Sequence, residues 1–176
     1  MTSGRVLVVG SVNLDLVDRV PHRRASAAGA RVVLNAAPLH RRVAELLPVV
    51  DVLVVNEIEA AELFGLEGVV DEEILTSVSA GLTTDLVVAL GARGALLAPA
   101  GGVVTSRPAY PVSAVDTVGA GDAFVGGFAA EWASGASLGD AVRTGSAAGA
   151  LTATVAGARH PGLDRAGVER LAGPLG

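Results

Sequence analysis

Asp116-Thr117-Val118-Gly119-Ala120-Gly121-Asp122-Ala123-Phe124 is the stretch on which the reading of this chain turns. A glycine-rich turn here runs straight into an apolar-periodic helix over Gly121–Ala133. Phe124, Phe128 and Trp132 recur at i, i+4 and i+8, so they share one helical face that belongs to a core. The first turn of a helix leaves backbone N–H groups unpaired, and the helix dipole adds partial positive charge at the same end. Such an end is ready to bind an anion. Gly119 and Gly121 carry no Cβ, so a phosphoryl group can come close to the backbone. Asp122, in the same turn, can take a proton from an attacking hydroxyl, and it reads also as a helix N-cap or first-turn acid. A dinucleotide fingerprint is excluded by spacing, because the third glycine position holds Phe124.

Upstream of this stretch, apolar strands alternate with helices. Arg5–Gly10 is a β-rich run closed by glycine, and Val32–Leu34, Val52–Val55 and Leu86–Leu90 are comparable runs. Helices are expected at Arg41–Leu47, Glu57–Phe64 and Asp71–Ala80. This alternation implies βαβ units and a mainly parallel sheet. Gly91-Ala92-Arg93-Gly94 and Gly101-Gly102 then set off Ala95–Leu97 and Val103–Val104, short strands that read as antiparallel hairpins at the sheet edge. Downstream, helices are expected at Leu138–Thr154 and Leu163–Leu171. Pro21–Ala30 has no clear period and reads as a linker or a poor helix.

The bulk properties set bounds on function. With 176 residues, 51% of them apolar and only 3% aromatic, the chain fits one domain with a core of closely packed small aliphatic groups. A net charge of −5 argues against a nucleic-acid surface. There is no cysteine, hence no disulfide framework and no thiolate metal site, and the three histidines lie too far apart in sequence to form a spaced metal-ligand set. A reducing cytoplasm is the expected location. Val6–Val9 is too short to span a bilayer, and no stretch reaches the roughly 18 apolar residues a membrane helix needs, so no membrane association is expected.

The string Asp116–Phe124 resembles the D-T-x-G-A-G-D signature of the PfkB, or ribokinase-like, family of carbohydrate kinases. The resemblance implies a ribokinase-like three-layer α/β/α fold with a mainly parallel central sheet. It also implies an ATP-dependent kinase that moves the γ-phosphate to a hydroxyl of D-ribose or a similar sugar. Asp122 would be the base that activates the sugar hydroxyl. The N–H groups of Gly119, Ala120 and Gly121 would form the anion hole for the γ-phosphate.

Further positions match the family in register with that loop. Asn56-Glu57-Ile58-Glu59 resembles the N-x-x-E motif. An i, i+3 pair shares a helical face, so Asn56 and Glu59 can address one Mg²⁺ water shell; Glu57, Glu59 and Glu62 read otherwise as the acidic first turns of an exposed helix. Leu90-Gly91-Ala92-Arg93-Gly94 resembles the family's nucleotide-passing turn, with Ala89 where a threonine is usual; Arg93 would cover the nucleotide or stand as a solvated turn residue. Asp116 and the Val118 carbonyl match the place of an activating monovalent cation such as K⁺. Gly10–Asp15 resembles the family's opening G-S-x-N-x-D, in which Asn13 and Asp15 would bind sugar hydroxyls; taken alone, Asp15 is an ordinary loop acid. Gly145–Thr154 is similar to the small-residue helix that flanks the nucleotide, and it reads equally as close helix packing.

The expected organisation is a single ribokinase-like domain over 1–176. Its first strand and sugar-contact loop lie in 1–20, and its nucleotide-binding and catalytic part in 31–161. Family members carry a larger segment between these blocks, including a β-sheet lid and a Gly-Gly motif, which Pro21–Ala30 is too short to replace. Phosphoryl transfer rests on positioning and electrostatics, so ATP binding is expected to survive the shortening better than turnover. A nucleotide-binding pseudoenzyme is therefore the alternative. Exposed strand edges favour self-association, making homodimerisation the expected assembly.

Overall fold

The structure, a computed structural model, describes residues 6–9 and 30–174 of the 176. Asn13, Asp15 and all but the last residue of Pro21–Ala30 lie outside the described residues. The chain divides into two compact units, one of residues 1–90 and 96–106 and the other of 91–95 and 107–176.

The first unit carries the sheet. Its strands are β1 (Val6–Val9), β2 (Arg31–Asn35), β3 (Val52–Asn56), β4 (Asp85–Ala89), β5 (Ala95–Ala98) and β6 (Thr105–Arg107). Among the described residues these six lie side by side in sequence order. The pairs β1–β2, β2–β3 and β3–β4 are parallel, with Val8 opposite Val33, Leu34 opposite Leu53 and Leu53 opposite Leu86. β4, β5 and β6 are joined by connections too short for a parallel crossover, so they run antiparallel at the edge. The mainly parallel α/β sheet read from the sequence is the one observed.

Three helices belong to this unit: α1 (Val43–Leu46), α2 (Glu57–Phe64) and α3 (Glu72–Ser79). α1 is one turn long and gives way to a 3₁₀ turn at Leu47–Val49. Pro48 has no N–H for an α-helical bond, which is why the helix stops short of the expected span. α3 starts where Asp71 caps the Ile74 N–H at 2.9 Å. The core gathers Leu53 and Val55 of β3, Leu75 of α3, Leu86 and Val88 of β4 and Leu96 of β5. Leu53, Leu75 and Leu86 are fully buried, and each contributes about 1.5–3 kcal/mol.

The edge strand lies two residues beyond the expected Val103–Val104. Gly102 N–H donates to Pro99 O at 2.9 Å and closes the preceding turn. Val104 is buried just before β6, Val103 is exposed, and the strand itself is Thr-Ser-Arg with every side chain exposed. An edge strand is held by its backbone, so apolar content does not mark it.

The second unit is built from α4 (Ala120–Ala133), α5 (Leu138–Thr152) and α6 (Arg165–Ala172). α4 and α5 approach closely because α5 presents bare backbone to its neighbour. A Cβ on Gly145 would stand 2.7 Å from Phe124 O, and one on Gly149 3.0 Å from Ala120 O. The close-packing reading of Gly145–Thr154 is therefore correct within this unit, and it holds whether or not a nucleotide lies alongside. Phe124, Phe128 and Trp132 are all buried, as their spacing requires, with the Phe128 and Trp132 rings 6.0 Å apart. Asp164 caps α6 through the Gly167 N–H at 2.7 Å. Arg143 ties down the chain beyond α6 by donating to Ala172 O and Pro174 O, both at 3.1 Å.

Candidate active site

The loop before α4 is fixed from two sides. Within it, Ala120 N–H donates to Thr117 O at 3.1 Å, with Gly119 at φ 77°, ψ −4° in the third position. That is the left-handed residue a type II turn requires. From outside, Ala153 O at the end of α5 accepts from Val115 N–H at 2.8 Å and Asp116 N–H at 3.2 Å. Ala158 presses against Gly119: a Cβ there would stand 2.8 Å from the Ala158 Cα, Cβ and O.

Asp116 is the hub of this arrangement. Its Oδ1 accepts from Val118 N–H at 3.0 Å, and its Oδ2 accepts from Gly157 N–H at 2.9 Å, 41 residues away. The Val118 bond first, and the Gly157 bond next, hold its carboxyl below the usual aspartate value against a smaller opposing effect of burial. An ionised carboxylate of this kind suits a monovalent cation, and Val118 O belongs to the same turn.

The turn leaves a small set of open donors. Ala123 N–H makes the first helical bond, to Gly119 O at 2.9 Å. Ala120 N–H, expected in the anion hole, is committed to Thr117 O. Within the second unit the N–H groups of Gly119, Gly121 and Asp122 have no partner among the described residues. Asp122 is exposed in the first turn of α4, beside these donors, and it does not cap the helix. The alternative reading of Asp122 as an N-cap is thus set aside, because Gly119 occupies that position.

In the first unit, Asn56 and Glu59 form a reciprocal capping box at the start of α2. Asn56 Oδ1 accepts from Glu59 N–H at 2.9 Å, and Glu59 Oε2 accepts from Asn56 N–H at 2.8 Å. Glu59 is buried, which raises its carboxyl above the ordinary value, with the Asn56 hydrogen bond opposing. Its other oxygen, Oε1, lies outside the box and could accept from a metal-bound water. No cluster of three or more metal-ligating side chains occurs among the described residues, so a Mg²⁺ here would depend on phosphate and water for most of its ligands.

Leu90, in the first unit, is half-buried, and Gly91–Arg93, in the second, is an exposed 3₁₀ turn. Gly94, at φ 98°, is backed by 107–109: a Cβ there would collide with Arg107 O and stand 2.7 Å from Ala109 N. Sequence reasoning missed Ala153, Gly157 and Ala158, the residues that hold the loop before α4 in place. They act through backbone groups far away in sequence, and nothing in their side chains signals it.

A model of the pfkB family of carbohydrate kinases matches residues 2–165. The chain belongs to the pfkB family. This pfkB-family chain is 37% identical over 142 residues to a ribokinase of Haemophilus influenzae, a match covering 77% of this chain and 45% of that protein. Among solved structures it is similar to Arabidopsis thaliana ribokinase complexed with ribose and ATP (TM-score 0.76, 30% identity, 86% of this chain and 50% of that one). It is also similar to Salmonella enterica aminoimidazole riboside kinase complexed with aminoimidazole riboside and an ATP analogue (TM-score 0.77, 25% identity, 97% of this chain and 63% of that one). The fold is accordingly the ribokinase-like α/β fold. The pfkB-family chain spans about half the length of the curated relatives it matches. Among the described residues no helix is long and apolar enough to cross a membrane.

Proposed function

We propose that this chain is an ATP-dependent sugar kinase of the ribokinase type, moving the γ-phosphate of ATP to a hydroxyl of D-ribose or a similar sugar. The observation that carries the reading is the exposed Asp122 carboxyl beside unpaired N–H donors at the head of α4. The family match over 2–165 supplies the reaction class.

Asp122 is the base. As the sugar oxygen forms its bond to the γ-phosphorus and the bond to the ADP leaving oxygen breaks, the hydroxyl proton passes to the Asp122 carboxylate. A base so placed is worth about 10²–10⁴ in rate. Gly119, Gly121 and Asp122 N–H groups hold the charge on the transferring phosphoryl group, in a turn already rigid before the reaction. Ala120 holds that turn through its bond to Thr117. Asn56 and the turn Leu90, Gly91, Ala92, Arg93 and Gly94 contact the nucleotide, and Asn13 and Asp15 contact the sugar. Glu59 would hold Mg²⁺ through a bound water, and the ion would supply neutralisation of phosphate charge. Asp116 and the Val118 carbonyl take a monovalent cation such as K⁺. The assembly is a single domain that pairs as a homodimer in the cytoplasm, with neither nucleic acid nor membrane as partner.

The test is calorimetric titration of the chain and of Asp122→Asn with Mg-ATP, followed by ADP release with D-ribose. Nucleotide binding by both proteins, with ribose-dependent turnover only in the unsubstituted chain, is the expected result. Equal turnover by Asp122→Asn removes Asp122 as base. Binding without turnover in either protein replaces the kinase reading with that of a nucleotide-binding pseudoenzyme.

A further inference from the structure

Within the second unit, α4 and α5 meet at three glycines. A Cβ on Gly127 would stand 3.0 Å from Ala148 Cβ and 3.2 Å from Thr144 O. One on Gly145 would stand 2.7 Å from Phe124 O, and one on Gly149 3.0 Å from Ala120 O and 3.5 Å from Phe124 Cβ. Numbers rise along α5 as they fall along α4, so the helices run in opposite directions and Gly149 lies at the end that carries Asp122.

Gly149 differs from the other two in what it is joined to. Its contact on α4 is the carbonyl of Ala120, the first residue of that helix and one turn from the Asp122 carboxyl. Its own carbonyl accepts from Ala153 N–H at 3.0 Å, and Ala153 O in turn accepts from Val115 N–H at 2.8 Å and Asp116 N–H at 3.2 Å. A single residue therefore borders both supports of the loop, the packing of the α4 head and the anchoring of the chain before it. Between the two supports runs the turn that Ala120 N–H closes on Thr117 O at 3.1 Å. A methyl group at position 149 requires the Ala120 carbonyl to give by a few tenths of an ångström, while Ala153 keeps its hold on 115–116. Close-packed backbone transmits such a shift, because it has no rotamer with which to absorb it. The displacement falls on the turn and on the N–H groups of Gly119, Gly121 and Asp122.

We propose that Gly149 is a positioning residue for phosphoryl transfer: its missing side chain sets where the Asp122 carboxylate and the neighbouring N–H donors stand relative to the anchored loop. It acts through Ala120 and touches no substrate. The inference rests on the kinase reading of this site. A misplacement of about 1 Å can cost about 10²-fold in rate, so a few tenths of an ångström correspond to roughly three- to tenfold.

The test compares Gly149→Ala with Gly127→Ala in the intact chain. Gly127→Ala is a matched control: it too places a methyl group 3.0 Å from its nearest neighbour in the same helix contact, it gains the same helix propensity, and it lies more than a turn beyond Asp122. With saturating Mg-ATP and varied D-ribose, Gly149→Ala should lower kcat roughly three- to tenfold with KM for ribose within about twofold, and Gly127→Ala should leave both within about twofold. In the nucleotide-free chain the amide ¹H–¹⁵N signals of Thr117 to Asp122 should move in Gly149→Ala and stay in place in Gly127→Ala. Unchanged kcat in Gly149→Ala, an equal loss in Gly127→Ala, or amide changes that do not reach Thr117 to Asp122 overturn the assignment. If the unsubstituted chain turns over no ribose, the kinase reading falls, and the amide signals alone decide whether Gly149 sets the loop. If Gly149→Ala does not fold, native-state hydrogen exchange of the unsubstituted chain decides. Ala120 and Ala153 N–H should then open together, with protection agreeing within about tenfold, and a larger gap overturns the coupling of the two supports.

Discussion

Gly119 and Gly121 stand two residues apart in the same loop, yet replacing each with alanine should act in opposite directions on stability. At Gly119 the backbone is left-handed, at φ 77°, which costs a non-glycine residue about 1–2 kcal/mol. The new Cβ would also lie 2.8 Å from three atoms of Ala158, two of them backbone atoms that no rotamer change can move. Overpacking of that kind costs about 1–3 kcal/mol. Gly119→Ala should therefore lose about 2–5 kcal/mol, which for a chain of this size lowers the melting temperature by roughly 4–20 °C. Gly121 has helical backbone, and a Cβ there meets nothing within 4 Å. Alanine in a helix gains up to about 1 kcal/mol over glycine, so Gly121→Ala should melt at the same temperature or up to about 4 °C higher. Its methyl group would nonetheless stand among the open N–H donors, so Mg-ATP should raise the melting temperature of Gly121→Ala less than that of the unsubstituted chain. Thermal unfolding followed by circular dichroism, with and without Mg-ATP, reads both effects. If Gly119→Ala melts within about 2 °C of the parent, or Gly121→Ala is the more damaged of the two, the account of this loop is wrong.

Glu59→Gln keeps the capping box, because an amide oxygen can still accept from Asn56 N–H. The Glu59 carboxyl is raised above its ordinary 4.5 by burial. Its contribution is thus fully present below that value and is lost as pH rises through the folded-state value, so urea midpoints taken from pH 4 upward should fall more for the parent than for the glutamine variant. Asp116 has the opposite sign: hydrogen bonds from Val118 and Gly157 lower its carboxyl below 3.8. Its contribution is present above 3.8 and is lost as pH falls through the folded-state value, so Asp116→Asn should be less stable at neutral pH and lose less on acidification, as read by acid titration of the circular dichroism signal. Phe128→Ala empties a fully buried position of α4 and should cost about 3–5 kcal/mol in urea unfolding.

The elements with a strong local signal were legible from sequence. β3 is a continuous apolar run, and α2 carries its own start and stop: the Asn56 cap, the Glu59 partner and Gly65, whose left-handed backbone ends the helix. The head of α4 was legible for the same reason, since Gly119 and Gly121 declare the turn and Phe124, Phe128 and Trp132 declare the buried face. What was not legible is long-range. The bond from Gly157 to Asp116 spans 41 residues and uses a backbone donor, and β6 is an edge strand without an apolar residue. Asn13 and Asp15 lie outside the described residues, so their sugar-contact role rests on the family pattern alone.

The way the loop before α4 is built suits a reaction that depends on placement. Gly145 and Gly149 let α5 lie against the Phe124 and Ala120 carbonyls of α4, and α5 ends with Ala153 O accepting from Val115 and Asp116. The head of α4 is thereby located twice, once through helix packing and once through the loop. Neither constraint uses the Asp122 side chain or the N–H groups of Gly121 and Asp122. The groups that would meet an anion are left free, while the groups that position them are all engaged. In phosphoryl transfer, where little covalent chemistry falls to the protein, such a division lets a site be rigid before its ligand arrives and avoids a reorganisation cost at the moment of reaction.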